Sequence, residues 1–145
     1  MTRRTGLSLL ALALALAGCG SASGNRSTTL RLEATQTSLT RILQSTQQRS
    51  ANDGGDAFIA SSDVTGGGQV EAYCVISERP HTDLCAVTVV LPRGQLSAQG
   101  VFLDAPRLSG VIALIGGSGA YEGATGSLAS NGLSAQRESI TIRLG

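Results

Sequence analysis

The sequence predicts an all-β domain, a small antiparallel β-barrel of about eight strands, and three observations lead there. Nineteen of the 145 residues are glycine, so turns are frequent. Apolar and polar side chains alternate with period two along much of the chain after Thr29, the signature of half-buried strands. Three successive turns, each read on its own, place the apolar residues of four strands on one face. Hydrophobic residues make up 41% of the chain and charged ones 14%, which excludes a disordered tail, and the length allows one domain.

The first residues stand apart from this pattern. Met1-Thr2-Arg3-Arg4 is positively charged, and Gly6 to Ala17 is an apolar run too short to cross a ~30 Å hydrocarbon core as a helix. The run ends in Leu16-Ala17-Gly18-Cys19, which resembles the bacterial lipobox, so residues 1–18 read as a lipoprotein signal peptide. Acylated Cys19 is then the mature N-terminus, and its acyl chains, at about 0.8 kcal/mol per buried methylene, hold the domain on a membrane without spanning it. Residues 19–28 form the lipidated cysteine and a flexible tether without apolar periodicity, and residues 29–145 the folded domain. The expected location is the bacterial cell envelope, exported and membrane-anchored.

Within the domain, Leu30, Leu32 and Ala34 alternate with Arg31, Glu33 and Thr35 as a first strand. Leu39, Ile42 and Leu43 suit either a helical turn or a short second strand. Asn52-Asp53-Gly54-Gly55 marks a turn, Asp56 to Val64 another strand, and Gly66-Gly67-Gly68 a break. From Gln69 to Ile115 the register can be tested. Pairing Cys74 with Cys85 sets Ala72 against Val87 and Val70 against Val89, with Glu78 to Thr82 as the connection. A two-residue Arg93-Gly94 turn sets Leu91 against Leu96, Val87 against Gly100 and Cys85 against Phe102. An Asp104-Ala105-Pro106 loop pairs Phe102 with Leu108, Gly100 with Gly110 and Ala98 with Ile112. Beyond Tyr121 the chain remains β-prone, with Asn131-Gly132 as a hairpin signal and Ile140, Ile142 and Leu144 alternating in an unfixed register.

In this register Ala72, Val87, Gly100 and Gly110 lie side by side. Small residues there admit two compatible readings: glycines that let a closing sheet bend, and a hollow flanked by Val89, Phe102, Leu108 and Ile112 that holds a small apolar ligand. The meander's buried face is expected to carry no ionisable group besides the cysteines. Acid or base chemistry would draw on Glu33, Asp56, Asp63 or Glu122, whose facing the sequence leaves open. Cys74 and Cys85 read as a disulfide, since export favours oxidation and their spacing is no Cys-x-x-Cys redox motif.

Several motifs resemble the bacterial allene oxide cyclase-like and dirigent-like proteins. These are the two cysteines flanking a hairpin, Leu91-Pro92-Arg93-Gly94-Gln95-Leu96, Gln99-Gly100, Ile115-Gly116-Gly117-Ser118-Gly119-Ala120-Tyr121 and Gly123-Ala124-Thr125-Gly126. The resemblance covers roughly Leu30 to Leu144 and implies an eight-stranded antiparallel barrel with a central apolar cavity, often trimeric or dimeric in plant members. The buried face without a proton-transfer group favours an exported, lipid-anchored barrel that binds a small apolar molecule, and the resemblance implies the alternative, a cyclase or isomerase acting by conformational restriction of a hydrophobic substrate. Thr125 departs from the family, where Arg is common, and no catalytic residue carries across.

Other functions are disfavoured. Eleven Arg, no Lys and ten acidic residues give a net charge of +1, and removal of the leader takes two of those arginines, so no basic field for nucleic acid remains. Gly117-Ser118-Gly119-Ala120-Tyr121-Glu122 lacks the third glycine of a dinucleotide fingerprint. His81 is the single histidine, beside Pro80 at a hairpin tip, so neither a metal site nor a triad is expected, and no cofactor. The remaining partners are the membrane, through the anchor, and a small apolar ligand. The outward residues Val75, Leu84, Val90, Val101, Leu103, Val111 and Ile115 point further to a homo-oligomer.

Overall fold

A computed structural model describes residues 27–43, 55–77, 82–103 and 109–145; Cys19, the leader and most of the tether lie outside them. Eight strands form a closed barrel in chain order, each antiparallel to its neighbours. They are β1 (Thr28–Ile42), β2 (Ala57–Val64), β3 (Gln69–Ser77), β4 (Thr82–Leu91), β5 (Gly94–Leu103), β6 (Gly110–Gly119), β7 (Gly126–Gly132) and β8 (Arg137–Leu144). Pairing of β1 with β8, from Thr28↔Leu144 to Thr35↔Arg137, closes the ring and removes both sheet edges.

The alternation read from the sequence is the alternation of the barrel. Inward residues Val70, Ala72, Cys74, Cys85, Val87, Val89, Leu96, Ala98, Ile112 and Leu114 are buried, and Leu128, Ile140 and Ile142 complete the core from β7 and β8. Each Val, Leu or Ile among them removed from water contributes on the order of 1.5–3 kcal/mol, which is why the period-two pattern selects this face. Cys74 pairs with Cys85, Ala72 with Val87 and Val70 with Val89, as expected.

Further round the barrel the faces hold and the registers change. In the β4–β5 hairpin Leu91 pairs with Gly94, so the corner is Pro92-Arg93 rather than Arg93-Gly94, and Val89 meets Leu96, Val87 meets Ala98 and Cys85 meets Gly100. Gly94 is needed for another reason: a Cβ there would run into the Ser118 carbonyl oxygen on β6. Between β5 and β6, Ala98 pairs with Leu114 rather than Ile112, and a bulge at Ser97/Ala98 shifts the ladder beyond it. Both corrections move the register by two residues, which exchanges neighbours but leaves the side chains on their faces; beyond the β5–β6 bulge the shift is three, with Leu96 meeting Gly117. The expected row of Ala72, Val87, Gly100 and Gly110 is therefore broken after Val87.

Two further expectations change. Leu39 and Ile42 belong to neither a helical turn nor a separate strand, because β1 runs on through a bulge between Gln36 and Ser38. Thr37 Oγ1 donates to the Ser61 carbonyl there at 3.1 Å. Asn131 and Gly132 are the end of β7, paired with Ser139 and Glu138. The turn follows them, with the Leu133 N–H donating to the Arg137 carbonyl at 2.8 Å.

At the end of the barrel where β1 begins, the β6–β7 connection packs Tyr121 and Ala124 against the core. It is held by the Ala120 N–H on the Arg93 carbonyl and the Ala124 N–H on the Tyr121 carbonyl. The Gly-Gly-Ser-Gly-Ala-Tyr motif thus closes one end, where Gly117 and Gly119 let backbones approach within less than a side chain's width. The cavity opens at the other end.

Candidate functional site

A cavity of about 500 Å³ enters the barrel from the end opposite the Tyr121 closure. Here β1, β3, β5 and β7 end and β2, β4, β6 and β8 begin. The depth is apolar: Ala60, Val70, Ala72, Val87, Leu128 and Ile140 line it, with Ser62 beside them. The β1 bulge shapes one lip. Past Gln36, β1 pairs with β2 alone, and Leu39 and Arg41 on this two-stranded extension, with Leu43 just beyond it, line the opening.

The mouth is charged. Asp56, just before β2, and Asp83 on β4 both line the cavity and are 7% and 8% exposed. The Ile76 N–H donates to the Asp56 carbonyl at 2.8 Å, and Ile76 pairs with Asp83, which in turn pairs with Phe102. Asp56, Ile76, Asp83 and Phe102 therefore form one inward row across neighbouring strands, ~4.8 Å apart per step. Glu138 faces them from β8 and accepts a hydrogen bond from Ser130 Oγ at 2.8 Å. Arg137, also at the mouth, pairs outward with Glu33 at 3.1 Å; both are largely exposed, so this pair contributes little to stability.

Asp83 corrects the expectation that the meander's inner face carries no ionisable group. It lies two residues before Cys85 and so shares its side, yet it abuts the Glu78–Thr82 connection and is easily counted with that loop. Of the four other carboxylates considered, Asp56 lines the cavity, while Glu33, Asp63 and Glu122 are exposed.

Of the residues expected around a mid-barrel hollow, Ala72, Val87 and Phe102 line the cavity. Val89 and Ile112 are buried in the core, outside its lining. The two glycines do not open space. A Cβ at Gly100 would stand 2.7 Å from Ile112 Cγ2, and one at Gly110 would stand 2.8 Å from Phe102 Cδ1. Gly100 and Gly110 seat larger side chains. Leu108, His81 and Arg107 lie outside the described residues.

Cys74 and Cys85 form a disulfide between β3 and β4, fully buried and facing inward. Among the described residues no group of His, Cys, Asp and Glu is placed to hold a metal ion. On the outside, Leu84, Val101 and Val111 are each at least half exposed, and Val75, Leu84 and Val101 edge a shallow groove.

Neither a family model nor a curated protein matches the sequence. Solved structures do match the fold. Pyocyanin demethylase superposes with a TM-score of 0.69 at 21% identity, over 81% of this chain and 100% of that one. A pterocarpan synthase dirigent protein gives 0.63 at 14% identity, covering 83% of this chain and 94% of its own. A nonspecific heme-binding cyclase that catalyses a [4 + 2] cycloaddition in neoabyssomicin biosynthesis gives 0.54 at 12%, covering 81% and 65%. The closed eight-stranded antiparallel barrel is thus a fold that this chain shares with a demethylase, a dirigent protein and a cyclase.

Proposed function

We propose that this chain is an exported, lipid-anchored barrel that binds a small apolar molecule inside the cavity. The observation that carries the reading is the cavity itself: about 500 Å³, open at one end, with a depth of Val70, Ala72, Val87, Leu128 and Ile140. That size and lining suit a small organic ligand, which buries apolar surface against the wall at roughly 25 cal/mol per Å². The names of the structural neighbours fit this class, being a demethylase of pyocyanin, a pterocarpan synthase and a heme-binding cyclase. The exposed Leu84, Val101 and Val111 are where a homo-oligomer would pack.

Nile red, a neutral dye that brightens in apolar surroundings, tests the cavity. Wild-type protein is expected to enhance it strongly. Ala72→Phe fills the depth of the cavity and is expected to weaken binding by about tenfold or more while thermal unfolding moves little. Undiminished binding by this variant would place the dye elsewhere and overturn the reading.

A second reading, cyclase or isomerase chemistry in the same space, is favoured by Asp56 and Asp83. Two carboxylates beside an apolar depth can move a proton on a substrate whose conformers the walls restrict. Native mass spectrometry after incubation with candidate substrates separates the readings, since binding returns an unchanged mass and isomerisation a rearranged product resolved by chromatography.

The anchor has its own test. Cys19→Ser removes the thiol that would form the thioether and is expected to abolish incorporation of radiolabelled palmitate in bacterial cells. Equal labelling of the variant would refute the lipobox assignment.

A further inference from the structure

Resting on the reading of the cavity as a ligand site, we propose that it selects a cation: a molecule with an apolar body and a protonated amine or other cationic nitrogen held at the mouth by Asp56 and Asp83. Both carboxylates are more than nine-tenths buried and line the cavity. They flank Ile76 in one row, which sets them two strand spacings, about 10 Å, apart at their backbones with their side chains on the inner side. An ammonium group entering between them meets acid on two sides.

Aromatic rings supply an independent second feature. Phe102 lies directly across from Asp83, and Phe58 is the next inward residue after Asp56; both line the cavity. A cation seated by these carboxylates thus has an aromatic ring on each of two neighbouring positions, and the attraction between a cation and a ring face grows as water is excluded. An anion would meet the same rings and the same carboxylates unfavourably.

The charge balance points the same way. Three carboxylates, Asp56, Asp83 and Glu138, line the cavity against two guanidinium groups, Arg41 and Arg137. Arg137 is drawn outward by Glu33, a fourth carboxylate at the rim. Asp56, Asp83 and Arg41 each make other interactions within the chain. An ionised carboxylate has about four acceptor positions to share among such partners.

Three probes sharing one ring system test the proposal with the full chain: naphthylmethylamine, naphthylmethanol and naphthoate, titrated by calorimetry at neutral pH and low salt. The amine is expected to bind about tenfold or more tighter than the alcohol, and naphthoate weakest. Asp83→Asn, nearly isosteric, is expected to remove most of the amine's advantage while leaving the alcohol's affinity in place, and Asp56→Asn to do the same. Arg41→Gln is expected to strengthen amine binding. Equal binding of amine and alcohol, or naphthoate binding tightest, would overturn the cation proposal and leave the apolar site standing. Binding of none of the three would overturn both.

Discussion

Phe102→Ala is expected to destabilise the barrel by about 3–5 kcal/mol, the range for deleting a buried aromatic ring. Phe102 is among the largest fully enclosed side chains, at 2% exposure, and it does three things. Its ring packs within the core, forms part of the cavity wall beside Asp83, and covers Gly110, where a Cβ would stand 2.8 Å from it. Urea unfolding gives the loss as a lower midpoint, with the slope unchanged if the native state keeps its compactness. The geometry also specifies a partial rescue. With the ring gone, Gly110→Val no longer meets Phe102, so the double variant is expected to recover part of the loss, while Gly110→Val alone is destabilising. Additive losses would show that the ring and the glycine are not coupled in the way the structure places them.

Replacing Cys74 and Cys85 together by alanine is expected to cost about 2–5 kcal/mol. The bridge joins residues eleven apart in sequence, and closing so short a loop restricts the unfolded chain by about 3 kcal/mol in the chain-entropy account. The remainder reflects two fully buried sulfurs whose packing is lost. The barrel itself should persist, because β3 and β4 remain paired from Gln69↔Val90 to Ser77↔Thr82 without the bridge. Far-ultraviolet circular dichroism is expected to be unchanged at low temperature, with the melting temperature lower by roughly 10 °C. A variant that melts with the wild type would show that the bridge does not restrain the unfolded chain.

Why the faces were legible and the registers were not follows from how a hairpin is built. Side-chain direction alternates residue by residue, so Val70, Ala72 and Cys74 declare their side locally, and so do Cys85, Val87 and Val89. Register depends on which residues occupy the corner. Moving the β4–β5 corner by one residue, from Arg93-Gly94 to Pro92-Arg93, changes every partner by two positions and no side chain's face. Gly94 invited the wrong corner because glycine suits a turn, whereas its place is set by the Ser118 carbonyl on a strand some twenty residues later. Asn131-Gly132 misled in the same way: a good local turn signal lay inside β7, where pairing with β8 prevailed. The cavity suffered most from this. A row of small residues suggested a hollow at Gly100 and Gly110, but the shifted partners bring Ile112 and Phe102 over those glycines, and the space lies toward Ala72 and Val87 instead.

By itself the sequence determined the all-β class, the inward face of the meander, the Cys74–Cys85 pair and the glycine-rich motif that ends in Tyr121, because each rests on local alternation or on side chains a few residues apart. Closure of β1 on β8, the lip made by the Gln36/Ser38 bulge, and the meeting of Asp56, Asp83 and Glu138 above an apolar depth were decided only by the tertiary structure. Those features join residues from strands far apart in the chain, and their positions are set by how eight registers add up around a ring. No local pattern encodes that sum, since a shift of two at any one hairpin preserves every face yet moves every neighbour beyond it.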